Sequence, residues 1–176
     1  REAALLTIIP STAALVDGRT GLRLDHAGLA AAVAARAAQL GAAGLGEGGR
    51  VALAHGDGVA FLIDLFAAWR LGACAVCLSP SLIQAERDIV AAAVRPALWI
   101  GPPAGSEVTA LAPADPRAVP PPGAPWDDRA SLDAPAVVMM TSGTTSRPKG
   151  VVHTHRSLQA RLALNIAHAG APELQS

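Results

Sequence analysis

Tyrosine is absent from this 176-residue chain and phenylalanine occurs twice, so a folded core has to be assembled from aliphatic side chains. Charge is also scarce, at 16% of residues, while 51% are hydrophobic; that balance excludes a disordered chain. Neither sign of charge is in excess, with 14 basic and 14 acidic residues, so nothing points to nucleic acid or an anionic membrane as partner. No uninterrupted apolar run approaches the roughly 18 residues that a membrane helix requires. There are two cysteines, too few for a disulfide framework. Cys74 and Cys77 are spaced C-x-x-C, but a zinc site would want a second pair or a nearby histidine, and neither is there. On an apolar strand the two thiols face opposite ways, which predicts buried, inert cysteines. The first ten residues have no basic cluster and are interrupted by Pro10, unlike a signal peptide; with no initiator Met the chain reads as trimmed, and as cytoplasmic.

What is present is an alternation of apolar strands and amphipathic helices. Ala13–Val16, an Asp17-Gly18 turn and Gly21–Leu24 predict a hairpin. Asp25 can cap a helix from about His26 to Leu40, with Leu29, Val33 and Leu40 on its apolar side. Four glycines between 44 and 49 end it before a strand at Val51–Ala54. Phe61, Leu62, Leu65, Phe66 and Trp69 mark a second helix, with Asp57 as its cap. A strand at Ala73–Leu78 follows, then a third helix near Ile83–Val94 capped by Ser81, and a strand at Ala97–Ile100. This order predicts a layered α/β/α fold with a mainly parallel sheet. Residues 101–134 break the rhythm: eight of the 34 are proline, and neither a period of two nor of 3.6 survives. The expected organisation is an N-terminal α/β subdomain over 1–100, a Pro-rich irregular excursion or linker over 101–134, and the truncated start of a second subdomain over 135–176.

That last part carries the most informative run: Thr141-Ser142-Gly143-Thr144-Thr145-Ser146-Arg147-Pro148-Lys149-Gly150. Five hydroxyls, two glycines and a lysine fall within ten residues. Backbone N–H groups and hydroxyls in such a loop can wrap a polyphosphate while a lysine adds positive charge. It lies between the apolar run Pro135–Met140 and a strand-like Val151–Thr154, with a helix expected from about His155 to His168. The P-loop of NTPases needs Gly-Lys-Ser/Thr leading straight into a helix; Lys149-Gly150 followed by a strand is a phosphate loop of another kind.

The run closely resembles the phosphate-binding signature of adenylate-forming enzymes, which reads Thr-Ser-Gly-Thr-Thr-Gly-x-Pro-Lys-Gly-Val and departs here at Ser146, where glycine is usual. The continuation Val151–Leu158 is similar to the acyl-CoA synthetase branch. Leu22–Leu29 resembles the family's first core motif, Leu-Thr-Tyr-x-Glu-Leu, with His26 at the tyrosine and Gly28 at the glutamate. Trp69–Pro80 resembles the second, Lys-Ala-Gly-Ala-x-x-Val-Pro-Leu-Asn-Pro, departing at Cys77 and Ser79. All three occur in family order.

The resemblance implies the N-terminal part of the large domain of such an enzyme. It also implies ATP-dependent activation of a small-molecule carboxylic acid, with pyrophosphate release and then thioester formation on CoA or a carrier-protein pantetheine. Thr141, Ser142, Gly143, Thr144, Thr145, Ser146, Lys149 and Gly150 would hold the ATP phosphates, the two glycines by close backbone approach and positive φ. Serine at 146 costs on the order of 1 kcal/mol if the loop needs positive φ there. The family's adenine, ribose, Mg2+ and acyl sites and its mobile C-terminal lysine fall in later motifs, so no catalytic residue or metal ligand is assigned within this chain, and the remainder of the enzyme is the expected partner. His153 and His155 read as packing or loop-positioning residues with Thr154 as a helix cap; His55, in a loop after a strand, is a further position where sites occur in parallel sheets. An adenylation domain loading a carrier protein, and a truncated non-catalytic nucleotide-binding module, are the alternatives.

Overall fold

A computed structural model describes residues 14–105, 107–118, 131–141 and 149–169. The elements run β1 (Ala14–Val16), β2 (Arg23–Asp25), α1 (His26–Ala42), β3 (Arg50–Leu53), α2 (Val59–Arg70), β4 (Cys74–Cys77), α3 (Gln84–Val94), β5 (Leu98–Ile100), β6 (Thr109–Leu111), β7 (Pro135–Thr141), β8 (Lys149–Thr154) and α4 (His155–Ala169). Six strands form one sheet in the order β6-β5-β3-β4-β7-β8. The first five are parallel and β8 is antiparallel to β7.

Alternation along the strands builds three layers. Val51, Leu53, Ala75, Leu98 and Ile100 pack with Leu29, Val33 and Leu40 of α1 and Ile63, Leu65 and Trp69 of α2. Their neighbours in sequence, Ala52, Ala54, Val76 and Trp99, face the other way onto Val90 of α3. Leu158 and Leu162 place α4 on the α1–α2 side. The expected α/β/α sandwich with a mainly parallel sheet is what forms, because the period of two sends each strand's side chains to both helical layers.

Local chemistry sets the details. Asp25 caps α1 as expected, its carboxylate accepting from the Gly28 N–H at 2.7 Å. A Cβ on Gly28 would sit 3.1 Å from that same oxygen. The hairpin is not the two-residue turn expected at Asp17-Gly18. The Asp17 carboxylate accepts from the N–H groups of Arg19 and Thr20, both at 2.9 Å, and the chain turns back at Gly21 with φ +72°. The Thr20 N–H chiefly holds the Asp17 carboxyl below its ordinary value.

Two expected caps are corrected. Gly58, not Asp57, precedes α2, with φ 99° and no side-chain bond to the helix. Ile83, not Ser81, precedes α3; Glu86 accepts from the Ile83 N–H at 3.0 Å, while the Ser81 hydroxyl lies 2.7 Å from that of Ser79. The Pro-rich stretch also contains a strand, since β6 adds to the free edge of β5 in parallel register. Cys74 and Cys77 are free, and burial pushes both thiols up to about 11, so they stay protonated at neutral pH and react poorly. Among the described residues no helix is long and apolar enough to cross a membrane.

Candidate functional site

β7 is a seven-residue strand because the apolar run Pro135–Met140 finds β4 on one side and β8 on the other. Ala75, Val76 and Cys77 pair with Val137, Val138 and Met139 in parallel. Across the hairpin, Met139 faces Val151, Met140 faces Gly150 and Thr141 faces Lys149. The connection between Thr141 and Lys149 therefore leaves the C-terminal edge of the parallel strands, where ligands bind in open α/β sheets. Ser142, Gly143, Thr144, Thr145 and Ser146, with Arg147 and Pro148, lie outside the described residues.

Three expected site residues are described, and all are strand residues. Lys149 and Gly150 open β8, two residues before the expected strand start, because they pair with Thr141 and Met140. The backbones of Thr141 and Lys149 thus pair across the ladder at the neck of the connection. Both Lys149 and Gly150 are exposed. Gly150 does not adopt the positive φ expected of it. Its lack of a side chain has another use: a Cβ there would fall 2.6 Å from Val138 Cγ1 and 3.3 Å from the Met140 sulfur. Val138 is β-branched and held in the sheet, so it has little room to yield. Gly150→Ala should destabilise the hairpin by about 1–3 kcal/mol, measured as a lowered denaturation midpoint. An unchanged midpoint would show that the strand relaxes around the methyl group.

The foot of the hairpin is tied down. The ladder shifts register between Pro135 and Val137, which leaves Ala136 as an extra residue in β7. The Trp69 indole N–H donates to the Ala136 carbonyl at 2.9 Å. Thr154 caps α4 as expected, its hydroxyl accepting from the Ser157 N–H at 3.2 Å. The Arg156 N–H donates to the Leu132 carbonyl at 2.8 Å, and its guanidinium grips both Asp133 oxygens, at 2.8 and 3.2 Å. That guanidinium holds the exposed Asp133 carboxyl below its usual range.

The histidines divide by location. His155 is 1% exposed and lies edge-on to Trp69, with ring centroids 5.4 Å apart at 70°. It is a packing residue at the start of α4. His153, half-buried, faces Val137 across the ladder. His55 follows β3 and approaches Asp64 of α2, Nε2 to Oδ2, at 3.0 Å. Asp64, fully buried, also takes the Arg36 Nε–H at 2.6 Å and the Ala114 N–H at 3.1 Å. Arg36 further donates to the Ala112 carbonyl at 2.6 Å and to Gln39 at 3.0 Å. Sequence reasoning missed this network. Its one visible signal is an aspartate inside the apolar stripe of α2.

A family model described as AMP-binding enzyme matches residues 9–174. The long-chain-fatty-acid–CoA ligase FadD13 of Mycobacterium tuberculosis is 33% identical over 176 aligned residues, covering 88% of this chain and 34% of that protein. The hybrid PKS-NRPS synthetase mpsA of Macrophomina phaseolina is 31% identical over 166 residues, covering 91% of this chain and 4% of that protein. Among solved structures, the inhibitor-bound N-terminal domain of FACL13 from Mycobacterium tuberculosis is similar with a TM-score of 0.72 and 28% identity, covering 87% of this chain and 43% of that one. The chain therefore spans about a third of the length of FadD13. The paired strands β7 and β8, the sheet that carries them and the match over residues 9–174 converge: the chain belongs to the AMP-binding, adenylate-forming enzyme family.

Proposed function

We propose that this chain supplies the ATP phosphate-binding loop of an enzyme that activates a carboxylic acid as its adenylate and passes the acyl group to CoA. The observation that carries the reading is the placement of a hydroxyl- and glycine-rich connection, flanked by Thr141 and Lys149 at its neck, on the C-terminal edge of the parallel strands. In the reaction the substrate carboxylate attacks the α-phosphorus of ATP, the bond to the bridging oxygen breaks, and pyrophosphate leaves. Such a transfer depends on positioning and charge neutralisation more than on covalent help from the protein. The Lys149 ammonium and the hydroxyls of Thr141, Ser142, Thr144, Thr145 and Ser146 would hold the β- and γ-phosphates, which carry the developing charge of the leaving group. Gly143 and Gly150 would let the backbone come close.

Mg2+ would arrive with the nucleotide. Among the described residues no group of three His, Cys, Asp or Glu side chains could hold a metal ion, so no step is assigned to one. Met139, Val151 and Leu164 are exposed on β7, β8 and α4. That apolar surface fits a face covered by further chain in a longer enzyme. Similarity to the synthetase mpsA favours one second reading, in which a carrier-protein pantetheine replaces CoA as acceptor.

The test is carboxylic-acid-dependent ATP–pyrophosphate exchange on the polypeptide at its natural length, across fatty, aromatic and amino acids. Exchange with one acid class is the expected result, and CoA-dependent release of AMP then separates the two acceptors. A folded protein that binds ATP but exchanges with no acid would instead be a non-catalytic nucleotide-binding module.

A further inference from the structure

We propose that the outward face of α3 is a self-association surface, across which two copies of this chain pair helix to helix about a two-fold axis. The fold uses one side of this helix. Val90 is its buried residue, with Ala91 and Val94 packed beside it on the sheet side. Ala85, Ile89 and Ala92 recur at the i, i+4 and i+7 spacing of a second apolar stripe. All three are exposed, Ile89 at 51%. A helix on the surface of a finished particle sets polar side chains there.

The flank of that stripe carries the charge that selects a partner. An open groove of about 670 Å³ runs along it, with Asp88, Ala92 and Arg95 on the helix side and Gly105, Glu107 and Val108 opposite. Its far wall is tied down. The Asp88 carboxylate accepts from the Gly105 N–H at 2.7 Å, and Arg87 donates to the Pro103 carbonyl at 2.9 Å. Acidic and basic groups share this one flank, so it is complementary to itself when reversed. A two-fold axis performs that reversal.

Helix geometry then gives the register. An antiparallel pair centred between Ile89 and Ala92 sets Ile89 of each copy against Ala92 of the other, a large side chain over a small one. Like flanks meet in an antiparallel pair. Asp88 of one copy therefore stands two residues, about 3 Å along the axis, from Arg95 of the other. The symmetry makes this contact twice. A parallel pair would bring Asp88 beside Glu86, two like charges. Asp88 has an oxygen to give: its bonds to Gln84 and Gly105 both fall on Oδ1, which leaves Oδ2 for the guanidinium. α3 lies across the sheet from α4, so the pairing holds whether or not residues 141–150 bind ATP.

Sedimentation of the natural-length protein over roughly 1 to 100 μM should show a monomer–dimer equilibrium, the strength suited to a small interface. Ile89→Glu should raise the dimer Kd about 10-fold or more, since it charges the centre of the contact. Ile89 is half exposed, so the thermal midpoint of that variant should hold. Arg95→Glu sets acidic groups against Asp88 and Glu107, and should reverse the response to salt. Association of the wild type weakens as salt rises, whereas that of the variant strengthens as the repulsion is screened. A structural role for Arg95 within one copy would not change that sign.

A monomer throughout the concentration range would overturn the proposal and leave this face to the rest of the enzyme or to a different protein. A dimer unmoved by both Ile89→Glu and Arg95→Glu would overturn it as well, because the copies would then meet through another surface.

Discussion

Lys149→Ala is expected to weaken ATP binding by roughly 10- to 100-fold, the range for losing one hydrogen bond to a charged group. The substitution should leave the fold intact. Lys149 is exposed at the first position of an edge strand. Its backbone pairing with Thr141 survives in alanine. The effect should also depend on salt, because screening weakens an exposed charge interaction. Titration of wild type and variant with ATP at two ionic strengths checks both points. Equal affinity in the two proteins would remove Lys149 from the phosphate site.

A larger effect on stability is expected at the buried ion pair. Asp64→Ala strands the Arg36 guanidinium, the Ala114 N–H and the His55 contact in the interior at once. Breaking a buried pair by removing one partner costs about 3–5 kcal/mol. At roughly 2–4 °C per kcal/mol for a chain of this size, the thermal midpoint should fall by about 6–20 °C. Replacing both charges by apolar residues, Arg36→Met with Asp64→Leu, should cost much less, since the desolvation penalty disappears with the attraction. Thermal unfolding of the two variants separates these cases. If the double variant is as unstable as the single one, the network's value lies in its bonds to the Ala112 and Ala114 backbone and not in charge pairing.

The parts of this fold that sequence exposes are those governed by local periodicity. Val51-Ala52-Leu53 and Leu98-Trp99-Ile100 alternate between the two helical layers, so their burial on both faces is written in consecutive apolar residues. Asp25 and Thr154 are legible as caps because the acceptor and its N–H lie three residues apart. What was not legible depends on neighbours distant in the chain. Thr109-Ala110-Leu111 has little strand character of its own and extends because β5 offers a free edge. Arg36 and Asp64 are 28 residues apart, on different helices, and no local pattern announces their pairing.

At the site the sequence showed the composition of the loop and its order between two strands. It did not show that Lys149 and Gly150 belong to the strand. Nor did it show that Gly150 is needed for clearance from Val138 instead of for positive φ. Trp69 read as one more member of an apolar stripe. Its N–H, which the stripe does not need, is the part that reaches β7.

The phosphate site itself is tested most directly by amide hydrogen exchange of the natural-length protein with and without Mg·ATP. Slowed exchange concentrated in peptides spanning residues 141–150, and lost in Lys149→Ala, is the expected result. Protection by ATP at another part of the chain with 141–150 unchanged would contradict it, and would move the nucleotide away from the β7–β8 connection.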